Sequence, residues 1–300
     1  MRDGSPPMTE VTGLRTVEMM NYDADALRYI EGVLERYMPQ SSFPEKIYEA
    51  VRYSLFGDGK RVRPFLMIAV SEMLGGEKSF IEPLFAGLEM IHTYSLIHDD
   101  LPCMDDDDMR RGRPTSHKVF GYPTAVLAGD ALLNLAFETI ISGRAGGVSS
   151  GRYMEAAGII AECAGIRGMV GGQTADMMYD ESSRDEKALE YIYRAKTGAL
   201  IRAAVMAGAL SSSSLTAGER EALERYAYLI GMLFQFTDDI LDMKDGLPEE
   251  GKMTYISVYG LDRVRQMCSD YESEAEEILS RFENSGVLRE FTQMIYNRRK

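Results

Sequence analysis

Apolar residues recur at helical spacing along almost the whole chain, and alternating apolar–polar runs are nearly absent. That periodicity leaves little room for a sheet and predicts an all-α fold. It places helices over 24–38, 43–56, 63–74, 80–101, 123–143, 151–163, 166–179, 184–210, 217–243, 261–283 and 286–297. Several of these, among them 80–101, 184–210 and 217–243, exceed twenty residues and are apolar over much of their circumference. Such helices bury themselves on all sides, inside a large bundle. Four hydroxyl-x-x-Glu patterns open apolar runs and read as capping boxes: Ser42/Glu45, Ser79/Glu82, Ser183/Glu186 and Thr216/Glu219. Punctuation falls at Gly75-Gly76, at Gly112-Arg113-Pro114 in a connector, and at Gly143 with Gly146-Gly147. Ser211–Ser214 and Gly246-Leu247-Pro248 separate the later helices.

The start, Met1-Arg2-Asp3-Gly4-Ser5-Pro6-Pro7, is polar and Pro-rich with no apolar run behind it. Residues 1–20 read as a flexible leader and 21–300 as a single domain. No stretch has about 18 continuous apolar residues, so no membrane span is expected. Hydrophobic residues make up 45% and charged residues 27% of the 300, which excludes a disordered chain. Lys and Arg number 33 against 47 Asp and Glu, a net charge of −14. That balance argues against nucleic acid as a partner, because phosphodiester contacts need a basic face. It leaves room for phosphate-bearing small molecules if metal ions bridge acid to phosphate. Cys103, Cys163 and Cys268 form no CxxC pair and fit a reduced, cytoplasmic protein.

The first chemical signal is His98-Asp99-Asp100-Leu101-Pro102-Cys103-Met104-Asp105-Asp106-Asp107-Asp108, then Arg110-Arg111. Six carboxylates in ten residues repel one another, and an isolated acid run is most often a solvated loop. Here the run follows an apolar helical stretch, so it starts at the end of a buried helix, and two arginines follow that suit an anion held on metal. The order excludes an EF-hand. The second signal is Phe234-Gln235-Phe236-Thr237-Asp238-Asp239-Ile240-Leu241-Asp242. Asp238 and Asp242 share a helix face, with Gln235 one turn before Asp238. Facing acids destabilise a helix unless a cation sits between them. Two DDxxD-like clusters predict a site with several Mg2+ ions, holding a diphosphate between two acidic walls.

Basic residues complete the pattern. Lys60 and Arg63 lie three apart in Gly59-Lys60-Arg61-Val62-Arg63-Pro64, at a helix start that favours anions. His92 lies two helical turns before Asp99; alone it also reads as a core histidine. Lys196-Thr197 opens Lys-Thr-Gly-Ala-Leu, and Lys252 sits in Gly-Lys-Met-Thr-Tyr; alone, each also reads as a solvated lysine. Arg298-Arg299-Lys300 reads as a frayed tail.

From about residue 25 onward the chain resembles the all-trans short-chain prenyl diphosphate synthases, and among them bacterial farnesyl diphosphate synthases. The resemblance rests on GKRVRPFL, HTYSLIHDDLPCMDDDDMRRGRPTSH, GMVGGQTADM, KTGALIRAA and FQFTDDILD, in the family's order. It implies an isoprenoid synthase fold, a bundle of long antiparallel helices around a central cavity, usually as a homodimer. It implies three Mg2+ ions, with Asp99, Asp105 and Asp238 as ligands supported by Asp100, Asp239 and Asp242. Arg110, Lys196 and Lys252 would contact the allylic diphosphate, with Thr197 and Gln235 beside the allylic head. Lys60, Arg63, His92 and Arg111 would hold isopentenyl diphosphate. The longer spacing between Asp100 and Asp105 resembles bacterial and plant-plastid enzymes. Only nine residues separate Asp242 from Lys252, fewer than is usual in the family, and Ile256 stands where relatives carry Pro.

The implied reaction ionises an allylic diphosphate, joins it to isopentenyl diphosphate and eliminates a proton. A class I terpene cyclase shares the metal logic but needs no counterpart of Lys60, Arg63 and His92. A non-catalytic partner subunit tends to lose the acidic motifs, and both are intact here. Product length falls to the helix before Asp99. Tyr94 lies five residues upstream, about 7.5 Å at 1.5 Å per residue, and Ser95 four upstream. A bulky Tyr94 floor resembles the fifteen-carbon pattern and predicts farnesyl diphosphate. The Leu101-Pro102-Cys103-Met104 stretch also resembles some geranylgeranyl diphosphate synthases.

Overall fold

The computed structural model describes residues 24–143, 150–179, 185–243 and 253–298. The leader, Ser183, Gly146-Gly147, Gly246-Leu247-Pro248, Lys252, Arg299 and Lys300 lie outside them. The fold is all-α: α1 Ala24–Tyr37, α2 Glu45–Leu55, α3 Val62–Met73, α4 Lys78–Asp99, α5 Ser116–Phe120, α6 Tyr122–Gly143, α7 Ser150–Ala164 and α8 Met169–Met178. Then come α9 Glu186–Ile192, a π-helical turn Tyr193–Gly198, α10 Ala199–Leu210, α11 Ala217–Leu241, α12 Tyr255–Tyr259, α13 Leu261–Leu279 and α14 Gly286–Asn297.

The helices α4 and α10 sit innermost. Leu84, Phe85, Leu88, Met90 and Ile91 of α4 have no exposed surface, and α10 is buried along nearly its full length. α4 packs mainly on α6, while α10 packs on α3, α7 and α11. Each buried Leu, Ile or Phe contributes about 1.5–3 kcal/mol of transfer free energy, so this shared core fixes where the ends of α4 and α11 lie.

The helix expected over 184–210 is three elements. Its middle, Tyr193–Gly198, widens into a π turn. The glycines around it explain the close packing that holds this turn. A Cβ on Gly172 of α8 would sit 2.1 Å from the Lys196 backbone nitrogen, and one on Gly231 of α11 would sit 2.9 Å from Gly198 Cα. Two backbones therefore clamp the turn, and π turns occur frequently at functional sites.

Of the expected capping boxes that lie among the described residues, only Thr216/Glu219 forms as expected, with Glu219 N donating to Thr216 Oγ1 at 3.2 Å and Thr216 N to Glu219 Oε2 at 2.8 Å. Ser42 instead donates to the Tyr48 hydroxyl, and α2 begins after Pro44. α4 begins one residue before Ser79, and Glu82 accepts from Tyr29 and pairs with Arg36. Asp185 caps α9, accepting from Lys187 N and Ala188 N. Two short helices were not expected, α5 and α12, the latter capped by Thr254 with Ser257. The connector at Gly112 is a β-hairpin, β1 Met109–Arg110 against β2 Arg113–Pro114. Its two turn residues, Arg111 and Gly112, have φ of 52° and 76°, the left-handed pair that a tight hairpin turn demands.

α6 is long and apolar enough to cross a membrane by length and composition. Ala125, Ala128, Leu132, Ala136 and Ile140 of one face are buried in the core, whereas Leu127 and Ile141 on its other side are exposed.

Candidate active site

The first acidic wall hangs from the end of α4. Asp99 is its last residue and Asp100 its C-cap. The following loop folds back, with Asp105 N donating to the Asp99 carbonyl at 2.8 Å and Asp106 N to the Leu101 carbonyl at 3.1 Å. Asp99 lines a cavity of about 600 Å3. Burial, reinforced by neighbouring Asp105 and opposed by Lys196 and Arg110, pushes its carboxyl up to about 6. Asp100 is buried and accepts from Arg110 Nε at 2.6 Å; Arg110 also approaches Asp107 at 3.5 Å. Asp105 is exposed. Arg110 is therefore held by Asp100 and Asp107 rather than free in solvent.

The second wall lies on one continuous helix, and its three acids diverge. Asp238 is half-buried and accepts from Arg298 Nη2 at 2.6 Å. Asp239 is buried on another side, accepting from the Tyr193 hydroxyl and from Gln235 Nε2 at 3.1 Å. Asp242 caps the C-terminus of α11 and is exposed. Gln235, expected beside Asp238, faces Asp239 at i, i+4 instead, and its Oε1 accepts from Thr197 Oγ1 at 2.9 Å. Tyr193 OH also accepts from Tyr255 N at 3.2 Å, so one polar chain joins the π turn, α11 and α12.

The basic groups gather around Glu89 and Asp238, which offset them only in part. Arg63 enters the cavity from the first turn of α3. Burial lowers its guanidinium to about 10, Glu89 opposes that shift, and Arg111 adds to it. Its Nε is buried with no hydrogen-bond partner. His92 lines the same cavity; burial, then Arg63 and Arg111, hold it well below the usual histidine range, so it is neutral. Burial and the nearby Arg298 lower Lys60, with Asp238 pulling the other way. A knot of cations depressed by one another is a place prepared for an anion. Arg61, not singled out by the sequence reading, anchors this loop. It is buried, has φ 47°, and binds Glu31 at 2.7 Å and Glu89 at 2.9 Å.

Lys196 projects from the π turn into the cavity and pairs with Asp176 of α8 at 2.5 Å. Gln173, one turn earlier on α8, lines the cavity with a buried, unpartnered Oε1. Neither Asp176 nor Gln173 was assigned from sequence, although both lie in the GMVGGQTADM stretch. Arg298 corrects the frayed-tail reading. Leu288, Phe291 and Ile295 dock α14 on the core and deliver Arg298, with 17% side-chain exposure, to Asp238 and over the Phe234 ring at 4.5 Å. Tyr94 is buried at the cavity wall with its ring edge-on to His98 at 5.7 Å. Ser95 turns its hydroxyl back to the His92 carbonyl at 2.9 Å.

The donor set fits Mg2+. The carboxylates of the two walls are hard oxygen ligands, and Asp99, buried at the cavity, resists ionising without a cation. Asp99, Asp105 and Asp238 could hold such ions, while Asp239 is committed to Tyr193 and Gln235.

Comparison with known proteins agrees with this arrangement. The Polyprenyl synthetase family model matches residues 44–294. Geranylgeranyl pyrophosphate synthase 7, chloroplastic, of Arabidopsis thaliana is 45% identical over 257 residues, 81% of this chain and 73% of that protein. The heterodimeric geranylgeranyl pyrophosphate synthase large subunit 1 of the same plant is 42% identical, across 90% of this chain and 76% of that protein. Among solved structures, an FPP/GFPP synthase from Zymomonas mobilis superposes with a TM-score of 0.83 at 33% identity, covering 94% of this chain and 99% of that one. A geranyltransferase from Legionella pneumophila gives 0.84 at 31%, covering 92% and 95%. With that match spanning both acidic motifs and the residues that line the cavity, the chain belongs to the polyprenyl synthetase family and is a prenyltransferase.

Proposed function

We propose that the chain condenses isopentenyl diphosphate with dimethylallyl and then geranyl diphosphate, stopping at (2E,6E)-farnesyl diphosphate. The observation that carries the product length is Tyr94, a buried ring on the cavity wall five residues before Asp99. A chain anchored at Asp99 and growing along α4 meets that ring, backed by His98. In this reading Asp99, Asp105 and Asp238 hold three Mg2+ ions, with Asp100 and Asp242 nearby. Bound there, the ions would supply charge stabilisation for the departing diphosphate.

The chain's own residues do the rest. Arg110, Lys196 and Lys252 bind the allylic diphosphate, and Lys60, Arg63, His92 and Arg111 bind isopentenyl diphosphate. Neutral His92 donates a hydrogen bond without adding charge to a site already crowded with arginine. As the allylic C–O bond breaks, positive charge develops beside the oxygens of Thr197 and Gln235, which their mutual hydrogen bond holds in place. The isopentenyl double bond attacks that carbon, and the released diphosphate takes the proton. The apolar lining contributed by Leu101, Met104, Val126 and Met169 keeps water from the cation.

A fitting assembly is a homodimer formed through α6, whose outer Leu127 and Ile141 are 59% and 68% exposed. No disulfide joins Cys103, Cys163 or Cys268 among the described residues, which suits a cytoplasmic site of action. A second reading, a twenty-carbon product, is favoured by the names of the plant relatives. Purified protein given labelled isopentenyl diphosphate, dimethylallyl diphosphate and Mg2+ decides between them by chromatography of the dephosphorylated product. A fifteen-carbon main product is expected, with Tyr94→Ala lengthening it to twenty or more and Ser95→Phe shortening it toward ten. A twenty-carbon product from the unmodified chain, or no change on Tyr94→Ala, sinks the floor.

A further inference from the structure

Three side chains beside the first acidic wall gather at the base of the β1–β2 hairpin. A ring nitrogen of His117 and one carboxylate oxygen from each of Asp106 and Asp108 lie within 4.8 Å of one another. The two acids are exposed, but His117, on α5, is only 8% exposed. Hydrogen bonds around its ring select one tautomer. The Thr115 hydroxyl has a single proton, which it donates to the Asp107 carbonyl at 2.8 Å. At its 3.2 Å contact with His117 Nδ1 the hydroxyl therefore accepts, so Nδ1 donates there. Nε2 is then a lone pair, buried and without any hydrogen-bond partner. Orienting one imidazole nitrogen through a hydrogen bond so that the other is open is how proteins present histidine to metals. A cation is already drawn to the cluster: Lys118 Nζ lies 2.5 Å from Asp108 Oδ1, on a side chain that is 43% exposed and can swing to solvent.

We propose that Asp106, Asp108 and His117 form a site for one divalent transition cation, separate from the acids that face the cavity. One imidazole nitrogen with two carboxylates suits the Mn2+, Co2+ and Zn2+ class, whereas the cavity acids offer oxygen alone. The placement gives the ion a purpose. Asp106 and Asp108 precede β1, and His117 follows β2, so a shared ion ties together both ends of the segment carrying Arg110 and Arg111. The site does not depend on the product proposed above.

The test uses the full metal-free chain without any diphosphate, titrated with Mn2+ and read by electron spin-echo spectroscopy, which detects nitrogen ligands. One Mn2+ per chain with an imidazole nitrogen coupling is expected. It should persist in the Asp99→Asn/Asp238→Asn double variant and lose its nitrogen signal in His117→Gln. Asp106 has φ 52°, which Asn also tolerates, so Asp106→Asn keeps the backbone and should weaken binding by more than roughly tenfold. Lys118→Ala should tighten it by removing the competing ammonium. Bound Mn2+ without nitrogen coupling, or affinity unchanged in folded Asp106→Asn, overturns the proposal.

Discussion

The two acidic walls read almost alike as sequence and work differently as structure. The first is a helix end followed by a loop, so its acids fan out and take separate partners: Asp100 holds Arg110, Asp108 holds Lys118, and Asp99 lines the cavity with no ion pair among the described residues. The second is one unbroken helix, where neighbours are turned apart by about 100° at 3.6 residues per turn. Asp238 and Asp239 therefore cannot serve the same ligand. One meets Arg298, and the other braces the π turn through Tyr193 and Gln235. An adjacent Asp pair is thus two ligands only when the backbone that bears it is free to turn.

The sharpest way to break this comparison is to remove the inward acid from each wall. If Asp99 and Asp238 hold the ions as proposed, Asp99→Ala and Asp238→Ala should both lower turnover by orders of magnitude, because each takes a metal ligand from the ionisation step. Circular dichroism should show both variants folded. Near-normal turnover at saturating Mg2+ in either would leave a one-walled site. The cations sharpen the same contrast at a smaller scale. Losing a charge-assisted hydrogen bond of about 1.5–3 kcal/mol raises a Michaelis constant roughly ten- to hundredfold. Lys60→Ala, Arg63→Ala and His92→Ala should raise that for isopentenyl diphosphate, and Arg110→Ala and Lys196→Ala that for the allylic partner. Equal effects on both substrates from all five would erase the division.

A third variant separates ligand from brace. Asp239→Ala strands the buried Tyr193 hydroxyl and Gln235 amide, at about 1–3 kcal/mol. Its melting temperature should fall clearly, whereas Asp242→Ala, at an exposed helix end, should move it little. If Asp239→Ala melts with the unmodified chain, Asp239 is not a brace.

Much of this was legible in the sequence. The helical periodicity placed most helices to within a few residues, because buried faces must repeat every 3.6 positions. Asp99, Arg63, His92, Tyr94 and Lys196 converge on one cavity as expected. The misses have local causes. Two-residue strands are too short to alternate, so the hairpin carrying Arg110 left no signal. The π turn adds width without changing the apolar pattern; only the glycines at 172, 198 and 231 hinted at backbones meeting there. Gln235 was set beside Asp238 at i, i+3, but its amide reaches Asp239 at i, i+4. Arg298 was beyond a local reading, since its partner lies 60 positions away and only the docking of α14 joins them.

The smallest expected effect concerns charge on the first wall without metal. Burial raises the Asp99 carboxyl to about 6 in the folded chain, against about 3.9 for an unperturbed Asp. The folded state then holds this proton more tightly than the unfolded state does. Asp99 therefore favours folding fully only below about pH 4, and that contribution is lost as pH rises through about 6. In chelator-treated protein, Asp99→Asn should melt slightly above the unmodified chain at pH 7, with the gap closing toward pH 4. Mg2+ with diphosphate should reverse the order, because the cation now rewards the ionised form that Asn cannot adopt. Asp242→Asn, at an exposed helix end, should show neither behaviour. A gap at pH 7 that is absent, or that widens toward pH 4, would mean that Asp99 is solvated like any loop acid. The two walls would then differ in backbone alone and not in the cost of their charge.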